Sequence, residues 1–563
     1  MGNIMVFLIY FFSSIIATFP LVNFLGKYLI GRGGLDGFAY MWNHFSFWYQ
    51  IINLQQPFFS KLIFYPIGAN LFFHDYSPFI SLIGLPFLQH PVLYLNLIVI
   101  FGLTFSACTA FYLAKYITKS TPASLLSGFI YGFSPTAGSF ILSQHYYYLI
   151  ASIFLPLGVL FLLKFINGFK KSLVIFFMVC WILFFVNYYF FFLLILLSTI
   201  LLISLILSDY EVRKKLFNKS IRSHYLKSFL SFFLIPGLVV LGIIITSKDY
   251  QSFNGSSSNY GQICKADLVG LISPPSEKTY SFFNFKTNGD TPFYYLGIIF
   301  VATVFLCFSF YRKEKYVISL VITLFVILLF TLGLSINFQT PFYWLSKLPF
   351  IGLIDCPVRF VAGVHLLIAL LAAIFISLIF KRNRFIAIMC VFLFAVSMFS
   401  DYRFSSFPFI NVHIPQIYSY IAGQQDNKTV LELPSGLTES KGSFGYDGVI
   451  EGLHAQEMFW QTIYKKPRVG GYISRIPKST YDYFRNKLII SDLFTLTSRD
   501  GSWSDKNFTT QEKNQFINDL NLGFIVVAPV PRQQEFIQAT EQILSGLTYR
   551  KLVFEDYVLY QIE

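Results

Sequence analysis

The stretch that decides the fold is residues 172–208, SLVIFFMVCWILFFVNYYFFFLLILLSTILLISLILS, which contains 37 residues and no charged side chain. One crossing of a bilayer needs about 20 helical residues at 1.5 Å each. The run is therefore long enough for two crossings. We expect the chain to turn at its polar centre, Asn187-Tyr188-Tyr189.

Similar apolar runs recur through the first 400 residues. We predict eleven spans, at residues 5–22, 92–116, 123–133, 147–165, 172–187, 188–208, 228–246, 293–310, 316–335, 360–380 and 385–400. The composition agrees, because 55% of the chain is hydrophobic and only 12% is charged, against about a quarter charged in ordinary globular proteins. This excludes a plain soluble enzyme and predicts a polytopic α-helical membrane protein.

The excess of basic over acidic residues is confined to this apolar part. Residues 1–400 hold 26 Lys and Arg against 10 Asp and Glu, whereas residues 401–563 hold 16 against 18. If the N-terminus is cytoplasmic, 17 of the 26 basic residues fall on inside loops, as the positive-inside rule requires. We therefore expect a multi-pass membrane protein with a cytoplasmic N-terminus and the C-terminus outside. No nucleic-acid motif is present, so a nucleic-acid partner is not expected.

Two domains follow from this topology. Residues 1–400 form the membrane domain, with large external loops at 23–90 and 247–291, and residues 401–563 form an external soluble α/β domain. In the tail we predict strands at 430–433, 524–527 and 551–562, a hairpin turn at Glu555-Asp556, and helices at 481–490 and 511–520. The tail stretch 459–477, with aromatic and amide side chains beside Gly470-Gly471, suits either carbohydrate contact or a buried turn.

The first external loop carries the clearest candidate for chemistry. It begins GRGGLDGFAYMWNH at residues 31–44, directly after the first span. A carboxylate just outside the bilayer, among Trp42 and Trp48, suits a general base because partial desolvation raises the pKa of a carboxyl group. Asp36 is that candidate. The residues alone leave open the alternative that Asp36 caps a helix beginning near Gly37.

The arrangement as a whole resembles the GT-C class of glycosyltransferases. The resemblance rests on a membrane helix followed at once by Asp36-Gly37, with Trp42 after four further residues, then many spans and an external tail. It implies that Asp36 is the catalytic base, that the donor is a sugar on a polyprenyl phosphate, and that the acceptor is a glycan or lipid of the cell envelope. Leu35 precedes Asp36, so the acidic pair found in some branches of the class is missing here.

A second acid follows at His74-Asp75. Asp75 is the second catalytic candidate, and the pair suits assisting a base, orienting the acceptor or binding a divalent cation. The alternative is an ordinary turn aspartate before Ser77-Pro78. One histidine and one aspartate make a weak metal signal, so no cofactor is demanded.

The predicted substrate-binding residues are Trp42, His74, His145 and Arg359. A leaving phosphate needs positive charge at the external face, and Arg359 stands at the start of the tenth span. Its alternative is the snorkelling of any arginine at a helix end. His145, outside the fourth span, lines the same cavity or belongs to an aromatic belt. His365, within the tenth span, is either functional or bonded to a neighbouring helix.

Cys264 and Cys356 both fall in external loops, where an oxidising compartment allows them to pair; sequence cannot show whether they are close. The function expected is sugar transfer from a polyprenyl-phosphate donor at the external membrane face. The alternative is a noncatalytic protein of envelope polysaccharide or lipid assembly or transport.

Overall fold

The structure is a computed structural model that describes residues 2–32, 35–72, 74–217, 219–246, 264–266, 270–272, 294–333, 340–348, 351, 354, 356–401, 407–439, 442–445, 453–498, 501–503 and 507–563. Most of the predicted loop 247–291 lies outside these ranges. The chain forms two compact units. The membrane unit contains Met1–Leu25, Leu95–Lys248 and Asn254–Phe409, and the loop–tail unit contains Gly26–Tyr94 and Ile410–Glu563.

The membrane unit is helical. Among the residues that the structure describes, six segments are long and apolar enough to cross a membrane: Pro91–Thr118, Thr121–Leu142, Tyr146–Ile166, Tyr188–Ser208, Tyr225–Gly242 and Pro357–Arg382. Five shorter apolar helices are Asn3–Ala17, Lys171–Val186, Ile298–Tyr311, Val317–Thr331 and Arg384–Met398. Each of the eleven predicted spans falls on one of these segments, and the polytopic helical class is confirmed.

Some of these segments contain more than one helix. Thr121–Gly132 is followed by Pro135–Leu142, and Lys219–Phe229 is followed by a π-helical turn at Leu230–Leu234 and by Ile235–Thr246. The third predicted span therefore continues beyond residue 133. Short helices lie at Tyr210–Leu216 and Pro341–Leu345, a 3-10 turn at Pro357–Phe360 precedes Val361–Arg382, and the final helix runs to Asp401 as Arg384–Asp401.

The long apolar run breaks at Asn187, as predicted. Lys171–Val186 ends and Tyr188–Ser208 begins on either side of this residue, whose backbone is extended with φ −163° and ψ 118°. The Asn187 side-chain oxygen accepts a hydrogen bond from the Phe190 backbone N–H at 3.2 Å. A side-chain acceptor at this position satisfies one of the N–H groups that a new helix leaves unpaired. Asn187 is thus the N-cap that separates the two helices.

Small residues allow close helix packing in the membrane unit. A Cβ added at Gly132 would lie 2.6 Å from the Ala107 Cβ, and one added at Gly128 would lie 2.7 Å from the Ala107 carbonyl oxygen. These glycines bring Thr121–Gly132 against Pro91–Thr118. Such small-residue contacts are typical of helix packing in lipid, where van der Waals contact replaces the hydrophobic effect.

His365 holds a polar junction in the same unit. Its Nε2 lies 3.0 Å from the Tyr295 carbonyl oxygen, to which it donates, and its Nδ1 lies 3.1 Å from the Thr136 hydroxyl. The ring is fully buried. These contacts support the second of the two predictions for His365, a bond to neighbouring segments.

The loop–tail unit is an α/β structure. Its helices are Leu35–Ile52, Pro78–Ile83, Gln416–Ala422, Leu453–Tyr464, Lys478–Arg485, Leu488–Thr497, Thr510–Asp519 and Gln533–Leu544. Its main sheet has the order Tyr549–Phe554, Tyr557–Ile562, Leu522–Val527, Thr429–Leu433. Smaller sheets pair Phe59–Ser60 with Ala69–Asn70, and join Gly442–Phe444, Leu437–Glu439 and Gly471–Tyr472 in that order. Tyr28–Ile30 and Phe409–Asn411 form a further two-stranded sheet.

The main sheet is mixed. Thr429–Leu433 runs parallel to Leu522–Val527, and every residue of both strands is buried. Burial on both faces is typical of parallel strands. The last two strands form an antiparallel hairpin that turns at Glu555 and Asp556, so the predicted turn is confirmed.

The first loop belongs to the same compact unit as the tail, whereas the sequence assigned residues 23–90 to the membrane domain. We call Leu35–Ile52 the loop helix and Leu453–Tyr464 the tail helix. Trp42 of the loop helix donates its indole N–H to the Gln461 Oε1 of the tail helix at 2.7 Å. Phe38 and Phe459 pack with ring centroids 5.8 Å apart. The two helices therefore share one core.

An ionic cluster is buried inside this unit. The Arg468 guanidinium is fully buried, with Nε 2.8 Å from Glu432 Oε2 and Nη2 2.6 Å from Glu457 Oε2. The Tyr464 hydroxyl donates to Glu432 Oε1 at 3.0 Å. Burial raises the pKa of Glu432, with Arg468 partly opposing this effect and Glu457 adding to it. With two carboxyl groups and one guanidinium, the cluster is electrically balanced when Glu432 keeps its proton.

The backbone of Arg468 joins the first loop to the tail. Its N–H donates to the Leu62 carbonyl at 2.8 Å, and its carbonyl accepts from the Tyr65 N–H at 3.1 Å. One residue therefore links residues 62–65 of the first loop, the main sheet and the tail helix.

We predict that Arg468→Gln lowers the unfolding midpoint of the detergent-solubilised protein by about 10 °C, because losing one partner of a buried ion pair costs about 3–5 kcal/mol. Glu432→Gln, which replaces a protonated carboxyl by a neutral isostere, is the matched variant. It should shift the midpoint by no more than a few degrees. Thermal unfolding followed by tryptophan fluorescence measures both, and equal shifts would contradict this account of the cluster.

Candidate active site

Asp36 lies in the first turn of the loop helix, which begins at Leu35. The first turn of a helix favours a carboxylate because its free N–H groups carry partial positive charge. The Asp36 side chain is half-buried. The helix start near Gly37 is confirmed, and the position suits a helix-stabilising carboxylate that keeps partial access to solvent.

His74 is the centre of the hydrogen-bond network beside Asp36. The Ser474 backbone N–H donates to His74 Nδ1 at 3.0 Å. Because an amide N–H can only donate, Nδ1 is the acceptor and the ring proton sits on Nε2. Nε2 then donates to the Asn43 Oδ1 at 3.0 Å. Both ring nitrogens of His74 are thus engaged by the protein.

Two charged side chains, Asp36 and Arg475, act on the pKa of His74. Burial lowers the pKa of His74 to about 3, the Asp36 carboxylate opposes this effect, and the Arg475 guanidinium adds to it. Both charges must lie near the ring to act on it. His74 is therefore neutral at physiological pH and stands close to one negatively charged and one positively charged side chain.

Asp75 is held by three groups of this network. Its Oδ2 accepts from the Tyr40 hydroxyl at 3.1 Å, its carbonyl accepts from the Asn43 side-chain amide at 3.0 Å, and its N–H donates to the Ser474 hydroxyl at 3.3 Å. The side chain is half-buried. The structure thus brings three predicted site residues together, Asp36, His74 and Asp75.

Sequence reasoning missed Tyr40, Asn43, Ser474 and Arg475 as members of this site. Tyr40 and Asn43 follow Asp36 at spacings of 4 and 7, which is one face of a helix and was a usable signal. Ser474 and Arg475 lie 400 positions from His74 and carried no such signal. The aromatic and amide residues near Gly470-Gly471, among them Trp460, Gln461 and Tyr472, are buried. The buried-turn alternative therefore describes them better than carbohydrate contact does.

Trp42 faces the packing between the loop helix and the tail helix. Its side chain is fully buried, and its N–H is bonded to Gln461. Substrate contact by Trp42 stays a prediction, while the observed contacts fix the position of the helix that carries Asp36.

A divalent cation does not fit the donors of this site. Both His74 nitrogens are bonded to protein, and within the described ranges no group of three or more His, Cys, Asp or Glu is arranged to hold a metal ion. We derive no step through a cation.

Arg359 occupies an aromatic clamp in the membrane unit. Its guanidinium carbon lies 4.5 Å from the ring centre of Tyr148 and 5.0 Å from that of Tyr189, and it donates to the Tyr148 hydroxyl. His145 packs edge-on against Tyr148 with centroids 5.3 Å apart. The structure thus places His145 and Arg359 around one tyrosine, and their contact with substrate stays a prediction.

Cys264 and Cys356, whose pairing the sequence left open, are joined by a disulfide. The Val358 N–H also donates to the Cys264 carbonyl at 3.4 Å, and the Ala266 N–H donates to the Thr331 carbonyl at 2.9 Å. Residues 264–266 are therefore fixed beside the turn that presents Arg359.

No protein-family model matches the chain, and no curated protein matches it. Solved structures do resemble it. One is the Archaeoglobus fulgidus oligosaccharyltransferase, solved with Zn and sulfate. The alignment covers 99% of this chain and 73% of that protein, with TM-score 0.51 and 11% identity. ArnT from Cupriavidus metallidurans, bound to undecaprenyl phosphate, matches 98% of this chain over 97% of its own, with TM-score 0.50 and 9% identity.

A third similar structure is the mycobacterial arabinofuranosyltransferase AftD, of which this chain covers 41%, with TM-score 0.54 and 11% identity. All three are GT-C glycosyltransferases. At these identities the likeness concerns the fold, and the fold expected from the resemblance is confirmed.

We predict that neutral His74 makes stability depend on pH. Its pKa is about 3 in the folded protein and about 6.5 when unfolded. The unfolded state therefore binds the extra proton between these values, and stability is full above pH 6.5 and falls as pH falls. Between pH 6.5 and 5 the loss is about 2 kcal/mol.

Thermal unfolding midpoints at pH 7 and pH 5 test this, with His74→Gln compared to wild type. The variant should lose part of the pH dependence. His413→Gln removes a histidine that is 62% exposed and should keep the wild-type dependence. Identical pH dependence in wild type and His74→Gln would refute the assignment.

Proposed function

Starting from the GT-C fold of this chain, we propose that it is a membrane glycosyltransferase. It transfers a sugar from a polyprenyl-phosphate donor to a glycan or lipid acceptor of the cell envelope, at the external face of a bacterial cytoplasmic membrane. The observation that carries the proposal is the half-buried Asp36 carboxylate at the start of the loop helix, beside neutral His74 and the charge of Arg475. The undecaprenyl phosphate bound to ArnT supports the donor class.

The reaction is a displacement at the anomeric carbon of the sugar. Asp36 accepts the proton of an acceptor hydroxyl, and the hydroxyl oxygen forms a bond to that carbon. The bond from the anomeric carbon to the phosphate oxygen breaks, and the electron pair leaves with the lipid phosphate. A positioned carboxylate of this kind contributes about 10²–10⁴-fold as a general base.

His74 and Asp75 act as positioning residues in this scheme. With both nitrogens bonded to Ser474 and Asn43, His74 fixes the loop helix against the tail. Asp75 fixes Tyr40, one turn beyond Asp36. The network therefore holds the base in place, which matters because misplacement of about 1 Å can cost about a hundredfold in rate. If Asp36 proves dispensable, Asp75 is the next candidate base.

Arg359 binds the phosphate of the lipid carrier. A guanidinium presents a planar fork that matches phosphate oxygens, and the clamp of Tyr148 and Tyr189 holds its plane. It stands at the N-terminal end of Val361–Arg382, where a helix favours anions. His145, packed on Tyr148, is a further contact to the carrier or sugar.

We predict that Asp36→Asn loses transfer activity and keeps donor binding. The purified variant should bind the donor and transfer sugar at least about a hundredfold more slowly than wild type, because an amide cannot accept the proton. Transfer is measured with a panel of radiolabelled polyprenyl-phosphate sugars, at equal protein and after matching of unfolding midpoints. Asp482→Asn, which changes a surface carboxylate of the same unit, is the control and should transfer normally.

Two results would count against this proposal. Wild-type transfer by Asp36→Asn would make Asp36 structural. No transfer by wild-type protein from any donor of the panel would favour a noncatalytic role in envelope assembly or transport.

We predict that Arg359→Gln weakens binding of the lipid carrier. Its affinity for undecaprenyl phosphate should fall at least about tenfold, since a hydrogen bond to a charged group contributes about 1.5–3 kcal/mol. Binding is measured by quenching of tryptophan fluorescence. Arg382→Gln changes an exposed arginine at the other end of the same helix and should bind normally. Unchanged affinity in Arg359→Gln would indicate interfacial snorkelling alone.

A further inference from the structure

A cavity of about 630 Å³ lies within the loop–tail unit, away from the site around Asp36. The loop helix contributes Met41, His44 and Phe45 to its wall. At about 100° per residue, Met41 and Phe45 lie about 140–180° around the helix from Asp36, and His44 lies between the two faces, about 80° from Asp36. The cavity is therefore a second site on the same helix, and its volume is within the range of small-molecule pockets.

The wall of this cavity carries positive charge without negative charge. Lys27 and Lys465 line it together with His44 and His90, and none of the described residues that line it is acidic. Most of the remaining wall is apolar, with Phe459 as an example from the tail helix. Cations beside an apolar wall are complementary to an anion that is attached to a hydrophobic group.

In the wall of this cavity, His44 places a buried imidazole that has no hydrogen bond to any described residue. Its side chain is 2% exposed, and neither ring nitrogen forms a hydrogen bond with a described atom. Burial lowers the pKa of His44 to about 4, and the Gly84 backbone, which lies close to the ring without completing a hydrogen bond, opposes this in part. A neutral imidazole offers one donor and one acceptor. Because buried polar groups are nearly always paired, a ligand in the cavity is the natural partner.

The cavity also touches the end of a membrane span. Pro91, Val92 and Leu93 belong to its wall, and they open the apolar helix Pro91–Thr118. The first turn of a membrane-spanning helix lies at the head-group level of the bilayer. A ligand in this cavity is thus within reach of the lipid surface.

From these observations we propose that the cavity binds the phosphate head group of an anionic membrane phospholipid. Lys27 and Lys465 pair with the phosphate, His44 donates its ring N–H to a phosphate oxygen, and the apolar wall covers the start of the acyl chains. The site is independent of sugar transfer. It would hold the loop helix at the membrane surface through residues other than those that surround Asp36.

The test uses full-length protein in a neutral detergent and native mass spectrometry to count bound lipids. The probes are dioctanoyl phosphatidylglycerol, dioctanoyl phosphatidylcholine and inorganic phosphate. Wild type should bind one phosphatidylglycerol at least about tenfold more tightly than phosphatidylcholine. In Lys27→Gln/Lys465→Gln the affinity for phosphatidylglycerol should fall about thirtyfold, as the loss of two cations at a membrane surface implies.

Matched variants separate this site from others. Lys478→Gln/Arg550→Gln removes two exposed cations of the same unit and should bind as wild type does. Asp36→Asn should also keep the affinity, so failure of the proposed transfer reaction leaves this result unaffected. The substituted lysines and arginine are exposed and Asp36→Asn keeps the side-chain shape, so all variants should fold. Their unfolding midpoints are compared with that of wild type.

Three results would overturn the proposal. Equal affinity for phosphatidylcholine would show that the site does not select a head group with net negative charge. Displacement of phosphatidylglycerol by inorganic phosphate at equal concentration would show a site for free phosphate. Wild-type affinity in Lys27→Gln/Lys465→Gln would show that the lipid binds elsewhere.

Discussion

The fully buried Arg468 is the constraint on which the loop–tail unit depends. Its guanidinium pairs with Glu432 on the main sheet and Glu457 on the tail helix, and its backbone pairs with residues 62–65 of the first loop. Charges buried in this way are tolerated only when their partners are in place. The cluster therefore admits one arrangement of sheet, helix and loop, and the position of the loop helix follows from it.

That arrangement also determines the position of the candidate base, Asp36. Asp36 stands on the loop helix, and the loop helix is fixed to the tail by Trp42 with Gln461 and by His74 with Ser474. These contacts are all protein-to-protein and pre-organised. A rigid support of this kind is what general-base chemistry requires, because geometry comes before pKa in deciding whether a proton can move.

The sequence allowed the membrane half to be predicted well, because hydropathy is a local property. All eleven spans fall on apolar helical segments, and the break at Asn187 follows from one capping side chain. The tail strands and the Glu555-Asp556 turn were equally local signals. The assembly of the site was not predictable in the same way. His74 meets Ser474 across 400 positions, and neither the hydrophobic pattern nor the spacing of charges encodes such a pairing. The chemistry of Asp36 could be suspected from its neighbours, while the neutral state of His74 depends on burial that only the fold creates.

Because the loop–tail unit is built from two distant parts of the sequence, it cannot finish folding until the tail has been synthesised. The first loop is complete at Tyr94, but its partners in the same unit begin at Ile410. At about 5–20 residues per second, the ribosome needs about 15–60 s to make the intervening spans and reach the tail. During that interval the amphipathic loop helix exists without the surface that will cover Trp42 and Phe38. Successful biogenesis must therefore protect an unfinished half-domain, and a truncated chain would leave that apolar face to chaperones, to proteases or to the membrane itself.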